Sequence, residues 1–244
     1  MVNTVGSCEN KYWHKKWIPI KKSLKLNSKQ RELIIGSLLG DGTMRLGKNA
    51  QNVNFKVEHG LMQKEYVMWK YQILKPFVFT EPKISHRFDE NGEKYEKSWW
   101  FRTIRHPLFT EIYREFYKGD GYRNGKKIIP EILRNEFTPL VLAVWIMDDG
   151  SFSRNKIDIS TYCFSLQEIN NLQEYFKDIF DIKMNYYRDR DKGYRMYSNQ
   201  EETLKLIKII RPYIIPSMMY KIFRDPVTTG FPHRQKSGMK IASM

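Results

Sequence analysis

Cysteine is almost missing from this chain: Cys8 and Cys163 are its only two. That number builds no disulfide framework and no cysteine metal cluster, so both thiols read as buried or incidental. No stretch reaches the roughly 18 uninterrupted apolar residues of a membrane-spanning helix, and no apolar signal-peptide core follows the N-terminus. A soluble intracellular protein is expected. The five histidines, His14, His59, His86, His106 and His233, show no metal-ligand spacing and read as surface or satisfied structural residues. Glycine-rich phosphate loops and dinucleotide fingerprints are also lacking, which leaves ATP or NAD use unsupported. Negative charge is scarce: 27 acidic residues face 42 Lys and Arg, a formal charge of +15 over 244 residues. Such an excess suits a partner rich in phosphate, and nucleic acid is a better candidate than acidic lipid because no long basic amphipathic helix stands out.

What the sequence does contain is one phrase written twice, 108 positions apart. Ile34-Ile35-Gly36-Ser37-Leu38-Leu39-Gly40-Asp41-Gly42 and Leu142-Ala143-Val144-Trp145-Ile146-Met147-Asp148-Asp149-Gly150 are apolar helical runs that end in a carboxylate and a glycine. An aspartate at the negative end of a helix is disfavoured by roughly 0.3–1 kcal/mol, so its repetition suggests a requirement. Asn27 with Gln30 predicts a capped start for the first helix, running to about Asp41. Thr138-Pro139 predicts the start of the second, running to Asp149.

The segments after each phrase also match. Asn52 to Glu58 alternates, with Val53, Phe55 and Val57 on one face and Asn52, Asn54, Lys56 and Glu58 on the other. Lys156 to Tyr162 repeats this pattern. Helical stretches follow at Gln63–Pro76, where Tyr66, Trp69 and Ile73 read as core, and at Ser165–Phe180, which opens on a capping box at Ser165 and Glu168. Paired strand candidates come next: Lys83–Asp89 with Lys94–Arg105, and Ile182–Arg188 with Tyr194–Asn199. Each half closes on helices and an Ile-Ile-Pro, at 128–130 and 214–216. The boundaries expected are a basic N-terminal extension over 1–27, halves over 28–137 and 138–223, and a basic tail over 224–244.

Small residues Gly36, Gly40 and Ala143 would let the two helices approach closely in a parallel, side-by-side arrangement. Asp41 and Asp149 would then meet at one end. Two carboxylates forced together in a basic protein invite a hard divalent cation such as Mg²⁺, with Mn²⁺ as a substitute. A metal pair held this way can activate a water and stabilise the leaving oxygen of a phosphodiester.

Both phrases, with the strands behind them, resemble the signature of LAGLIDADG homing endonucleases in the single-chain form that carries two copies. The resemblance covers roughly residues 28 to 222. It implies an α+β fold of two pseudo-symmetric αββαββα halves packed through the signature helices, with antiparallel sheets forming a DNA-binding saddle. It implies a metal bound by Asp41 and Asp149, with the neighbouring Gly40 and Asp148 as lesser candidates. Lys127 and Lys221 match the basic positions beside the active sites, where a lysine would stabilise the transition state or orient water. Asn54 and Ser160 match polar, water-positioning sites. Val144, standing where a glycine is usual, predicts looser or offset helix packing.

Direct readout of DNA would fall to Arg45, Lys48, Asn52, Asn54, Lys56, Arg87, Arg102, Lys156, Asp158, Lys183, Asn185, Arg188 and Arg195 on the solvent faces of the strands. The basic extension and the tail, with Arg224, Arg234, Lys236 and Lys240, would add backbone contacts. The implied function is a monomeric, site-specific double-strand DNA endonuclease that hydrolyses one phosphodiester per strand and leaves 3′ overhangs at a long asymmetric site. An initial methionine and the lack of splicing-domain residues point to an intron-encoded free protein, in an organelle or a bacterial cytoplasm. The first rival is a group I intron RNA maturase, with or without cleavage, whose partner is its host intron RNA. The second is a non-catalytic DNA-binding regulator on the same scaffold.

Overall fold

The computed structural model of the protein describes residues 19, 21–47, 50–119 and 125–223. Helix α1 (Ser28–Leu39) starts at the capping box foreseen from Asn27 and Gln30, each side chain bonding the other's backbone N–H at 2.9 and 3.1 Å. Its last residue is Leu39, two short of the expected Asp41, so Asp41 lies on the turn beyond the helix. A Cβ on Gly42 would lie 2.7 Å from the Ser37 carbonyl oxygen, so only glycine fits this bend.

Strands β1 (Thr43–Leu46) and β2 (Val53–Gly60) follow, then α2 (Lys64–Leu74), β3 (Lys83–Phe88), β4 (Lys94–Arg102) and α3 (Pro107–Phe116). A two-stranded ribbon, β5 (Tyr117–Lys118) with β6 (Lys126–Lys127), and the single turn α4 (Leu133–Glu136) complete the first half. The second half runs α5 (Pro139–Asp149), β7 (Gly150–Ser153), β8 (Lys156–Ser160), α6 (Leu166–Phe180), β9 (Met184–Arg188), β10 (Tyr194–Ser198) and α7 (Gln200–Ile210). A 3₁₀ turn over Pro216–Lys221 ends the described chain.

The two antiparallel sheets have the same order, β1-β2-β4-β3 and β7-β8-β10-β9. In β2, Val53, Phe55 and Val57 are buried and the residues between them are half-exposed, as the alternation requires. The β7–β8 turn uses Arg154 and Asn155, both at positive φ, which matches a tight hairpin to the strand twist. Each sheet lays its apolar face on helices, and a single core of buried side chains runs through both halves.

The signature helices form the centre of that core. From Leu140 to Asp148 every residue of α5 is buried, consistent with a helix apolar around most of its circumference. A Cβ added to Gly36 would lie 2.6 Å from the Val141 carbonyl oxygen and 2.7 Å from the Val144 Cβ; one added to Gly40 would lie 2.4 Å from the Asp148 Cβ. Both pairs advance in the same direction, so the helices are parallel. Val144 therefore does not loosen the packing, because its side chain fills the space that Gly36 leaves open.

Candidate metal centre and nucleic-acid face

The parallel packing brings Asp41 and Asp149 to the same end of the helix pair. Two lysines converge on the carbonyl groups there. Lys127, set by the β5–β6 ribbon, donates to the Gly40 carbonyl oxygen at 2.5 Å. Lys221, at the end of the Pro216 turn, donates to the Asp148 and Gly150 carbonyl oxygens at 3.0 and 2.9 Å. Each ammonium thus meets the negative end of a signature helix and offsets the cost of placing an aspartate there. Burial pulls both lysines below their ordinary range, and the surrounding aspartates pull in the opposite direction.

The two aspartates have different environments. Burial would raise the Asp41 carboxyl, but the His59 hydrogen bond and the charges of Lys70 and Lys221 prevail and hold it low. Asp149 is pushed up to about 8 by burial, then by the neighbouring Asp41 and Asp148 charges, with Lys127 and Lys221 only partly countering them. A carboxyl this short of positive charge, beside a second, half-exposed carboxylate, fits a divalent cation as its missing counter-charge.

Asp148 has another role. Its side chain is fully buried, and Oδ1 accepts from the Tyr66 hydroxyl and the Lys70 ammonium, both at 2.7 Å. Its Oδ2 accepts from the Asp41 backbone N–H at 3.2 Å. Lys70 Nζ lies 3.2 Å from His59 Nε2, and His59 Nδ1 lies 3.4 Å from Asp41 Oδ2. Oxygen and nitrogen atoms of Asp41, His59 and Asp148 lie close enough together for a metal site. The Lys70 ammonium already supplies the positive charge Asp148 needs, so the arrangement favours a structural role for Asp148.

Sequence reasoning missed His59, Lys70 and the polar use of Tyr66, although each carried a positional signal. His59 continues the inward phase of Val53, Phe55 and Val57 on β2, and Lys70 stands in the buried stripe Tyr66, Val67, Tyr71 and Leu74 of α2. Both are polar residues in apolar phase.

The sheet faces away from the helices carry most of the foreseen polar residues. Register sets Arg45 opposite Asn54 and Lys56 opposite Arg102, with Trp100 on that same face and Trp99 turned toward the core. Lys56 Nζ sits 5.4 Å from the centre of the Trp100 ring. Burial would raise Glu58, but its bonds from Lys56, Ser98 and Lys97 bring it down to about 2, so this acid is neutralised locally. In the second sheet Ser160 faces Arg195, and Asp158 faces Tyr197, whose strand neighbour is Asn185. Lys156 is exposed at the start of β8, and Lys183 is exposed just before β9. Asn52 accepts from the Thr110 hydroxyl at 3.0 Å.

Arg87 keeps the expected face, and Arg188 departs from it. The irregularity between Ser85 and His86 leaves Lys97 of β4 unpaired, so β3 keeps its alternation and Arg87 shares the polar face of Lys83 and Ser85, whose hydroxyl bonds Glu58. Arg188 pairs with Tyr194, in phase with Met196. Both are exposed, but Arg188 lies on the face opposite Arg195. Lys48, residues 1–18 of the extension and the tail with Arg224, Arg234, Lys236 and Lys240 lie outside the described residues.

Comparison with known proteins agrees with this geometry. Residues 31–206 match the family model described as the LAGLIDADG DNA endonuclease family. The chain is 29% identical over 210 residues to the DNA endonuclease I-ChuI of Chlamydomonas applanata, spanning 82% of this chain and 96% of that protein. It is also 29% identical over 201 residues to the cytochrome b mRNA maturase bI2 of Debaryomyces hansenii, spanning 81% of this chain and 74% of that protein. Among solved structures, the homing endonuclease I-WcaI bound to its DNA recognition sequence superposes with a TM-score of 0.75 at 23% identity, covering 92% of this chain and 96% of that one. With the duplicated fold, the paired helices and the matched family model all in place, the chain belongs to the LAGLIDADG DNA endonuclease family.

Proposed function

We propose that the protein is a monomeric, site-specific double-strand DNA endonuclease that hydrolyses one phosphodiester in each strand and leaves 3′ overhangs. The observation that carries this reading is the meeting of Asp41 and Asp149 at one end of two parallel helices. A half-buried lysine sits beside each helix end, and the polar faces of two open sheets flank the centre. Asp41 and Asp149 would hold the divalent cation, Mg²⁺ by preference and Mn²⁺ as its substitute. When bound, it would supply the positive charge that lowers the pKa of an attacking water and stabilises the leaving oxygen.

The chain's own groups do the rest. Lys127 and Lys221, anchored on carbonyl oxygens, present positive charge to a phosphate placed over the helix ends. Asn54 and Ser160, on the polar faces of β2 and β8, are proposed to position water. The remaining solvent-face residues, among them Arg45, Lys56, Arg102, Lys156, Asp158, Asn185 and Arg195, read a long asymmetric site. Trp100 and Arg105 join them, since both line the recess formed by Arg45, Asn54, Lys56 and Arg102. Halves over 28–137 and 138–223 each serve one half-site. An intron gene in an organelle or a bacterium is the setting this reading implies.

The test is cleavage of a randomised double-stranded DNA library with Mg²⁺ by the intact protein and by Asp41→Asn and Asp149→Asn. The expected result is one long sequence cut on both strands by the intact protein and bound but uncut by either variant. Similarity to the maturase bI2 favours a second reading, assistance of intron RNA splicing. A folded protein that cuts nothing and binds structured intron RNA would establish that reading instead.

A further inference from the structure

The buried charges around Asp41 form a closed circuit. Starting from the Asp41 backbone N–H, it passes through Asp148 Oδ2, from Asp148 Oδ1 to Lys70 Nζ, on to His59 Nε2, and from His59 Nδ1 back to Asp41 Oδ2. Asp41 is therefore held at its backbone and at its carboxylate by one set of groups. Lys70 and Asp148 have no exposed side-chain surface, and that of His59 is 2% exposed.

The second half contains no such circuit, and the replacements can be matched residue by residue. Asp41-Gly42 corresponds to Asp149-Gly150 at the ends of the signatures. Gly150 pairs with Ile159, and the β1–β2 register extended by one residue pairs Gly42 with Val57. Two positions further along each strand lie His59 and Thr161. Helix α2 begins five residues after His59, and α6 begins five residues after Thr161. Lys70 therefore corresponds to Leu172, and across the helix interface Asp148 corresponds to Gly40. Thr161 uses its hydroxyl on the Tyr194 carbonyl oxygen at 2.7 Å, and Leu172 is wholly buried. Asp148, His59 and Lys70 in one half thus stand where Gly40, Thr161 and Leu172 stand in the other. An accidental polar residue would appear singly, whereas here all three positions differ together and their atoms touch.

We propose that Lys70 and His59 are positioning residues that fix the Asp41 carboxylate through this circuit, and that the two half-sites are consequently unequal, so that losing the brace slows the cutting of one strand alone. The inference rests on the endonuclease reading for its strand effect, but its geometry does not. Lysine has only donors, and Lys70 directs one at Asp148 and another at His59 Nε2, which must accept. The imidazole proton then sits on Nδ1 and points at Asp41, the tautomer that free histidine populates less. Partners that orient a metal-site ligand in this way typically contribute about 10–100-fold to affinity or activity.

Two measurements test the inference. In ¹⁵N-resolved histidine side-chain spectra of the intact, metal-free protein, His59 should carry its proton on Nδ1, and Lys70→Met should abolish that preference. In strand-resolved cleavage of a supercoiled plasmid bearing the selected site, His59→Ala should slow one strand by about 10–100-fold and leave the other unchanged, so that nicked circles accumulate. His59→Asn, which keeps a donor at the Nδ1 position, should recover much of the loss. Protonation of His59 on Nε2, or equal slowing of both strands by His59→Ala, overturns the proposal. If the intact protein cuts neither strand, the endonuclease reading fails, and the spectrum alone decides whether the brace exists.

Discussion

Asp149 links the protein's stability to pH. Its carboxyl is raised from an ordinary 3.8 to about 8, so between those values the folded protein holds a proton that the unfolded chain has released. Stability from this group is therefore lost as pH rises through that window, and the loss levels off above about 8. Metal-free melting temperatures measured from pH 4 to pH 8 should fall more steeply for the parent than for Asp149→Asn. Added Mg²⁺ should raise the parent's melting temperature more at pH 8 than at pH 6, because the cation must displace the proton, and should leave the variant nearly unchanged. Lys70 offers a second test at this scale. Lys70→Met leaves Asp148 buried without its cation and should destabilise by about 3–5 kcal/mol in denaturant titrations. Combining it with Asp148→Gly should cost less than the sum of the single changes, since the acid that needed the cation is gone.

Between elements, the governing contact is glycine against a larger side chain. Gly36→Val would push a side chain into the Val141 carbonyl and Val144, at an expected cost of about 1–3 kcal/mol, and pairing it with Val144→Gly should recover most of the loss. Thermal unfolding of the single and double variants measures this directly. The signature helices, α6 and the alternation of β2 and β8 were all legible in the sequence, because each carries a cap or a full period of pattern. Strands β1 and β7 leave no mark in the sequence, since four residues such as Thr43–Leu46 are too few to display a period. The irregularity between Ser85 and His86 was equally silent, because no glycine or proline marks it. Within the site, the carboxylates were legible because their place at a helix end is costly. Lys70 was not, because a lysine is ordinarily solvated and only its position within an apolar stripe marks it as buried.

For the whole molecule, the excess of 15 positive charges predicts DNA binding that weakens steeply with salt. Removing one phosphate contact should lower the slope of log K against log salt by about 1. Arg102→Ala and Arg195→Ala, one from each polar face, should show whether both sheets engage backbone phosphate. Arg188→Ala, on the face opposite Arg195, should leave the slope unaltered. Fluorescence anisotropy across a salt series with the selected duplex and with an unrelated one would separate phosphate contacts from base reading, since only the latter changes the ratio between the two duplexes.

The pairing of Gly36 with Val144 and of Gly40 with Asp148 also fixes the partnership between the halves. Two copies of the first half would set glycine against glycine and leave a void along the seam. Two copies of the second would set valine against valine and confront two buried acids. If the gene were cut between the halves and the pieces made separately, only unlike pieces would fit. With these complementary residues in place, neither half can pair with a copy of itself as it pairs with its partner, and one chain carrying both supplies them in equal number.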